Sequence, residues 1–198
     1  MSTRTARLIL VLGAFVAGLV LFSAVLFIVT GRAPVPIALP SAIGGPFQLT
    51  DANSKPISER DLKGQPFLVF FGFTHCPDIC PTTLFEVSEI LRQLGPDADK
   101  MKALFVTVDP ERDTAPVLKD YLSSFDPHVV GVTGEPAALA AMAKGYRVYF
   151  KKVPLDGGNY TMDHTAIVYL MDKDGRFVSP FNVKRKPAEA AADLRKYL

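Results

Sequence analysis

Cysteine is almost absent from this chain: two of its 198 residues, Cys76 and Cys80, carry all of it. Two neighbouring thiols cannot build the multi-bridge framework that holds small secreted domains together, so stability has to come from a hydrophobic core. A surplus of basic charge is missing as well. The formal charge of +2 is accounted for by Arg4 and Arg7 ahead of a long apolar run, and the other basic residues balance the 20 acidic ones. No basic face for nucleic acid is visible, so none is expected as a partner. Internal repeats and low-complexity tracts are also lacking, so the chain is not read as a repeat array.

What is present begins with residues 8–29, a stretch without a single charge. As a helix it would reach roughly 33 Å, enough for a hydrocarbon core of about 30 Å. Arg4 and Arg7 precede it and only Arg32 follows closely, so the positive-inside bias leaves residues 1–7 cytoplasmic. A cleaved secretory signal would open in the same way. The run is longer than the usual apolar region of such signals, however, and Gly31-Arg32-Ala33-Pro34 is a poor small-x-small cleavage site. The reading is a retained single-pass anchor in a bacterial inner membrane, with everything beyond it periplasmic. Residues 30–41 are punctuated by Pro34, Pro36 and Pro40 and lack helix or strand periodicity, which predicts a semi-rigid tether. Residues 42–198 remain, enough for one domain with a real core.

Within that domain strands and helices alternate. Residues 67–71 and 104–108 are continuous apolar runs of the kind buried on both faces of a parallel sheet. Between them a helix is expected from Pro81, with Leu84, Val87, Leu91 and Leu94 on one face and Gly95-Pro96 at its end. Thr114 is placed as the cap of a second helix with Val117, Leu118, Tyr121 and Leu122 inward. A strand over 129–132, a helix over 134–145 and strands over 146–153, 166–171 and 177–181 follow, the last two joined by a turn at Asp172-Lys173-Asp174-Gly175. Pro187 then opens a terminal helix. This order predicts an α/β, thioredoxin-like domain, a central mixed sheet flanked by helices, behind the transmembrane helix.

Thr74-His75-Cys76-Pro77-Asp78-Ile79-Cys80-Pro81 joins the first apolar strand to its helix. Proline suits the first helical position, which would put Cys80 at the cap, where amides and dipole favour a thiolate and lower its pKa. Pro77 and Pro81 bias the two cysteines themselves away from helical geometry. Three uses of the pair stand open: a disulfide that pins the loop, a redox-active pair that closes and opens, and two sulfurs of a soft-metal site. Three residues lie between the cysteines, a wider bite than the two of a thioredoxin-type reductase. A third ligand would complete trigonal Cu(I). His164 is the candidate, since it precedes the 166–171 strand at the edge that faces the first strand-to-helix turn of a thioredoxin-like fold. His75 is expected to shield the loop and His128 to sit in an exposed turn.

Four carboxylates lie near these positions. Asp109 and Asp113 either shape a turn and cap the next helix or rim the metal site. Asp78 and Asp163 could orient His164, give a weak oxygen ligand, or serve structure and docking. The Met162 thioether could supplement Cu(I) or simply pack. A peroxidase reading of Thr74-x-Cys76 fits poorly, and catalytic zinc lacks a clear general base.

The segment Phe71-Gly72-Phe73-Thr74-His75-Cys76-Pro77-Asp78-Ile79-Cys80-Pro81 resembles the signature of the Sco (SenC) family, copper proteins required for cytochrome c oxidase assembly. Val108-Asp109-Pro110-Glu111-Arg112-Asp113-Thr114, Tyr146-Arg147-Val148-Tyr149 and Asp163-His164-Thr165 are similar to its other motifs, in order across the domain. The resemblance implies that Cys76, Cys80 and His164 hold one copper ion per domain, and that the protein is a carrier rather than an enzyme. The implied client is the CuA centre of cytochrome c oxidase subunit II, loaded from an unidentified copper donor. A thiol–disulfide reductase that keeps the CuA cysteines reduced is the alternative on the same two thiols.

Overall fold

The structure, a computed structural model, describes residues 3–30 and 43–198. The chain divides into two compact units, Met1–Leu39 and Pro40–Leu198. The first holds helix α1, Thr3–Thr30, which begins ahead of the uncharged run and contains it. Apart from Thr30, the expected tether over 30–41 lies outside the described residues. Among the described residues no helix is long and apolar enough to cross a membrane. The single-pass anchor expected over residues 8–29 therefore stands on the sequence pattern.

The second unit opens with a short hairpin, β1 (Gln48–Asp51) and β2 (Pro56–Ser58). No sequence pattern announces it, because Leu49 opposite Ile57 is its one buried apolar pair and too little for a period to show. Next come β3 (Phe67–Gly72), α2 (Ile79–Leu94), β4 (Lys102–Thr107), α3 (Ala115–Leu122), β5 (Val129–Thr133) and α4 (Pro136–Gly145). The chain ends with β6 (Phe150–Pro154), β7 (Tyr160–His164), β8 (Val168–Met171), β9 (Phe177–Pro180) and α5 (Pro187–Leu194). Seven strands form one mixed sheet in the order β2-β1-β5-β4-β3-β8-β9, parallel across β5, β4 and β3 and antiparallel outside them. The expected mixed sheet flanked by helices is therefore present.

Strand β3 lies inside this sheet, and all six of its residues are buried, as a run apolar on both faces requires. Helix α2 covers it with Leu84, Val87, Leu91 and Leu94, all buried, and Gly95 at φ 60° stops the helix. Helix α5 packs against α2.

Two expected elements differ. In α3 the buried stripe is Ala115, Leu118 and Leu122, and Val117 lies off it, exposed. The strand expected from Tyr146 starts only at Phe150. Tyr146 and Val148 donate their N–H groups to the carbonyls of Met142 and Ala143, and Arg147 at φ 56° turns the chain, so these residues close the end of α4. Their alternation reflects burial at a helix terminus.

Candidate metal centre

The thiol loop leaves the end of β3. Gly72 accepts the N–H of Val108 at 2.8 Å and Cys76 donates to the Phe73 carbonyl at 3.2 Å, which turns the chain sharply before the helix. Helix α2 begins at Ile79 with Asp78 at its cap, so Cys80 is the second helical residue and Pro81 the third. This corrects the expected placement of Pro81 first and Cys80 at the cap. None of the first four N–H groups of a helix has an intrahelical partner, so proline is tolerated one turn position later. Cys80 is helical despite the proline after it. Its side chain is fully buried and its N–H points at Cys76 Sγ, 3.4 Å away.

Both cysteines are free, with Cys76 9% exposed and Cys80 0%. Burial pushes the Cys80 thiol far above its usual value, with the amide of Phe73 offsetting a part. The lowering expected from a helix terminus is not found at Cys80: desolvation is the largest influence there and raises the thiol pKa. The sulfur fits because residue 72 has no side chain. A Cβ there would stand 2.9 Å from Cys80 Sγ and 2.6 Å from Phe105 Cε2.

His164 is the last residue of β7, paired with Phe150, and not in a loop directly before the next strand as expected. Its Nδ1 lies 3.2 Å from the carbonyl of Thr165 and its Nε2 3.7 Å from Cys80 Sγ. A carbonyl only accepts, so Nδ1 carries the proton and the Nε2 lone pair faces the thiols. Burial lowers the histidine pKa and keeps the ring neutral. Phe73 and Phe70 meet the imidazole edge-on, at 5.7 and 6.4 Å between centroids.

The Cys76, Cys80 and His164 ligand atoms all lie within 4.8 Å of one another. Sulfur and nitrogen ligands about 2.0–2.3 Å from an ion stand up to about 4.6 Å apart, so the three atoms are already near ligating separation. Two sulfurs and one imidazole favour a soft ion.

The carboxylates divide differently. Asp113 is fully buried and is the knot of the loop: it accepts Thr74 N–H (3.0 Å), Thr74 Oγ1–H (2.6 Å) and Thr107 Oγ1–H (2.7 Å). Asp109, also buried, accepts from Tyr160 Oη (2.8 Å) and pairs with Arg112. Asp78 is exposed at the helix cap and makes no capping bond through its side chain. Asp163 is exposed on the face of β7 opposite His164, and the Thr165 carbonyl, not an aspartate, accepts the hydrogen bond of the histidine Nδ1–H. Met162 is buried. His75 is exposed beside Thr74, 3.1 Å from its Oγ1. His128 lies in a turn as expected but is half-buried rather than exposed, bonding Asp126 and Asp99 at 2.7 and 2.9 Å. Gly72, Thr107, Arg112 and Tyr160 were not singled out by the sequence; the alternation of Tyr160, Met162 and His164 was a signal available for the last of these.

A mixed sheet flanked by helices, with two thiols beyond the end of its interior strand β3 and an imidazole brought to them by the separate β6–β7 hairpin, defines a thioredoxin-like domain with a soft-metal centre. The SCO1/SenC family model matches residues 36–198, and the chain belongs to that family. It is 65% identical to ScoI of Bradyrhizobium japonicum, whose structure was solved with copper bound, at a TM-score of 0.77 over 79% of this chain and 99% of that one. It is 40% identical over 159 residues to the mitochondrial SCO1 homolog of Mus musculus, covering 79% of this chain and 56% of the mouse protein. With a SCO2-like protein of Rickettsia felis it shares 38% over 155 residues, 77% of this chain and 76% of the relative. The chain spans about half the length of the first curated relatives it matches.

Proposed function

We propose that this chain is a membrane-anchored copper carrier that binds one copper ion through Cys76, Cys80 and His164 and delivers it to the CuA centre of cytochrome c oxidase subunit II. The observation that carries this reading is the grouping of the three ligand atoms within 4.8 Å, with the imidazole lone pair turned toward the sulfurs. The copper-bound relative with 65% identity supports the choice of metal. Copper is cargo here. It enters by displacing the Cys80 proton, which burial holds in the unloaded protein, and it leaves when a client's ligands replace these three. Two thiolates and a neutral imidazole hold the ion in three bonds that a client's own sulfurs can replace one at a time, which suits transfer.

Helix α1 supports the anchor. Leu10, Leu12, Phe15, Leu19, Leu21 and Phe22 are each more than half exposed, an apolar surface that wants lipid around it. With Arg4 and Arg7 inside, residues 42–198 would be periplasmic in a bacterial inner membrane. Titration of the reduced full chain in detergent with Cu(I) is expected to give one ion per chain with sulfur and imidazole ligation by X-ray absorption. Unchanged ligation in His164→Ala rejects the third ligand. A periplasmic reporter fused after Leu198 should be active, with the protein retained in washed membranes.

Thiol–disulfide exchange on the oxidase cysteines is the second reading, favoured by the proximity of the two free sulfurs and by Cys76 being the one nearer solvent. It requires a thiol pair but no imidazole. His164→Ala should therefore still reduce a small disulfide while failing to load copper into a reduced subunit II fragment. Normal loading by that variant would leave exchange as the main function.

A further inference from the structure

His164 does not belong to the large sheet. Strands β6 and β7 pair with each other and, among the described residues, with no strand of the seven. The third ligand therefore sits on a separate arm, and something must hold that arm against the body. Strand alternation puts Tyr160, Met162 and His164 on one face of β7, with Met162 buried, while Asp163 on the other face is exposed. Whatever seats Tyr160 seats the same face that presents the imidazole.

That seat is built from the segment after β4. Tyr160 Oη donates to Asp109 Oδ1 at 2.8 Å, and Arg112 Nη1 donates to the Tyr160 carbonyl at 3.0 Å. Arg112 Nε donates to Asp109, itself 2% exposed. The guanidinium lies 3.8 Å over the Tyr160 ring, and Lys152 Nζ lies 4.1 Å from the same ring while pairing with Glu111 at 2.7 Å. Arg112 also stands 6.0 Å from the Phe73 ring, whose edge meets His164. One guanidinium thus touches both the arm and the wall behind the imidazole. Its Nη2 is buried without a hydrogen-bond partner among the described residues, so water would gain a partner there when the arm lifts.

We propose that Asp109, Arg112 and Tyr160 are positioning residues that decide whether the bound ion has three ligands or two. Closed, they seat the inner face of β7 and His164 completes the site. Open, they leave the ion on Cys76 and Cys80, ready for exchange onto a client. The proposal rests on the copper-ligand reading above.

The test uses the reduced full chain in detergent with Cu(I) competed against a chromophoric chelator. Arg112→Gln should weaken Cu(I) binding about tenfold and reduce imidazole ligation in X-ray absorption, as expected for loss of a charged hydrogen-bond set. In a His164→Ala background the same substitution should cost nothing further. In the metal-free protein, amide exchange over β6 and β7 should speed by about tenfold in Arg112→Gln. Tyr160→Phe, which loses only the hydroxyl, should move each readout less and keep the fold. Unchanged hairpin exchange, or an equal loss of affinity with and without His164, overturns the clamp. Unchanged affinity in His164→Ala alone overturns the ligand reading instead, so the two failures are told apart.

Discussion

Gly72 and Cys80 are in such close approach that residue 72 has no room for a Cβ, which would lie 2.9 Å from the Cys80 sulfur. The last residue of an interior strand and the second residue of the following helix are packed through the sulfur proposed as a metal ligand. Gly72→Ala should therefore cost about 1–3 kcal/mol by overpacking and displace the thiol. Chemical denaturation would show the first and a drop in Cu(I) affinity the second; a neutral outcome on both would mean the sulfur is free to move.

Asp113 should behave as a loop organiser. Asp113→Ala strands the Thr74 amide and the hydroxyls of Thr74 and Thr107, and leaving such buried donors unpaired costs on the order of 3 kcal/mol in sum. Weakened copper binding should accompany it, because Thr74 lies two residues before Cys76. If copper affinity is kept while stability falls, Asp113 serves the fold alone.

Copper loading should be strongly pH-dependent. The buried Cys80 thiol holds its proton, so each ion displaces at least that one, and apparent affinity should rise about tenfold per pH unit per proton released. A proton-release measurement in weak buffer checks this directly.

The same thiol sets an alkaline limit for the metal-free protein. Because folding raises its pKa, the stability it contributes is full below the ordinary value of 9.0 and is lost as pH rises beyond it, by up to about 1.4 kcal/mol per unit. Tyr121 and Tyr146 are raised likewise, but from 10.0. Cys80→Ala should flatten the stability profile between pH 9 and 10 and leave the decline above it.

His128 gives a slope near neutrality. Its bond to Asp99, reinforced by Asp126, raises its pKa against partial burial. Its contribution is full below the ordinary 6.5 and fades as pH rises through the raised value. Denaturation curves from pH 6 to 8 should lose that slope in His128→Asn.

Much of this architecture was legible in one dimension. The apolar runs that became β3 and β4, the face of α2 and the turn at Asp172 to Gly175 follow from periodicity and turn chemistry, which are local. The β1–β2 hairpin was not legible, since its strands of four and three residues carry a single buried apolar pair. Nor was the end of α4, where burial of Tyr146 and Val148 imitates a strand.

The sequence by itself determined which atoms could bind a soft metal: two thiols in a strand-to-helix loop and a histidine near a later strand. Tertiary structure decided their state. Cys80 is held protonated because the core closes around it, a desolvation that no local pattern records. His164 turns its Nε2 lone pair toward the sulfurs because the Thr165 carbonyl accepts the hydrogen bond of its Nδ1–H. Asp113 and Asp109 became a loop knot and an anchor for the hairpin because their partners, Thr74 and Tyr160, lie 39 and 51 residues away. Contacts over such separations depend on how the layers pack, which spacing along the chain does not encode.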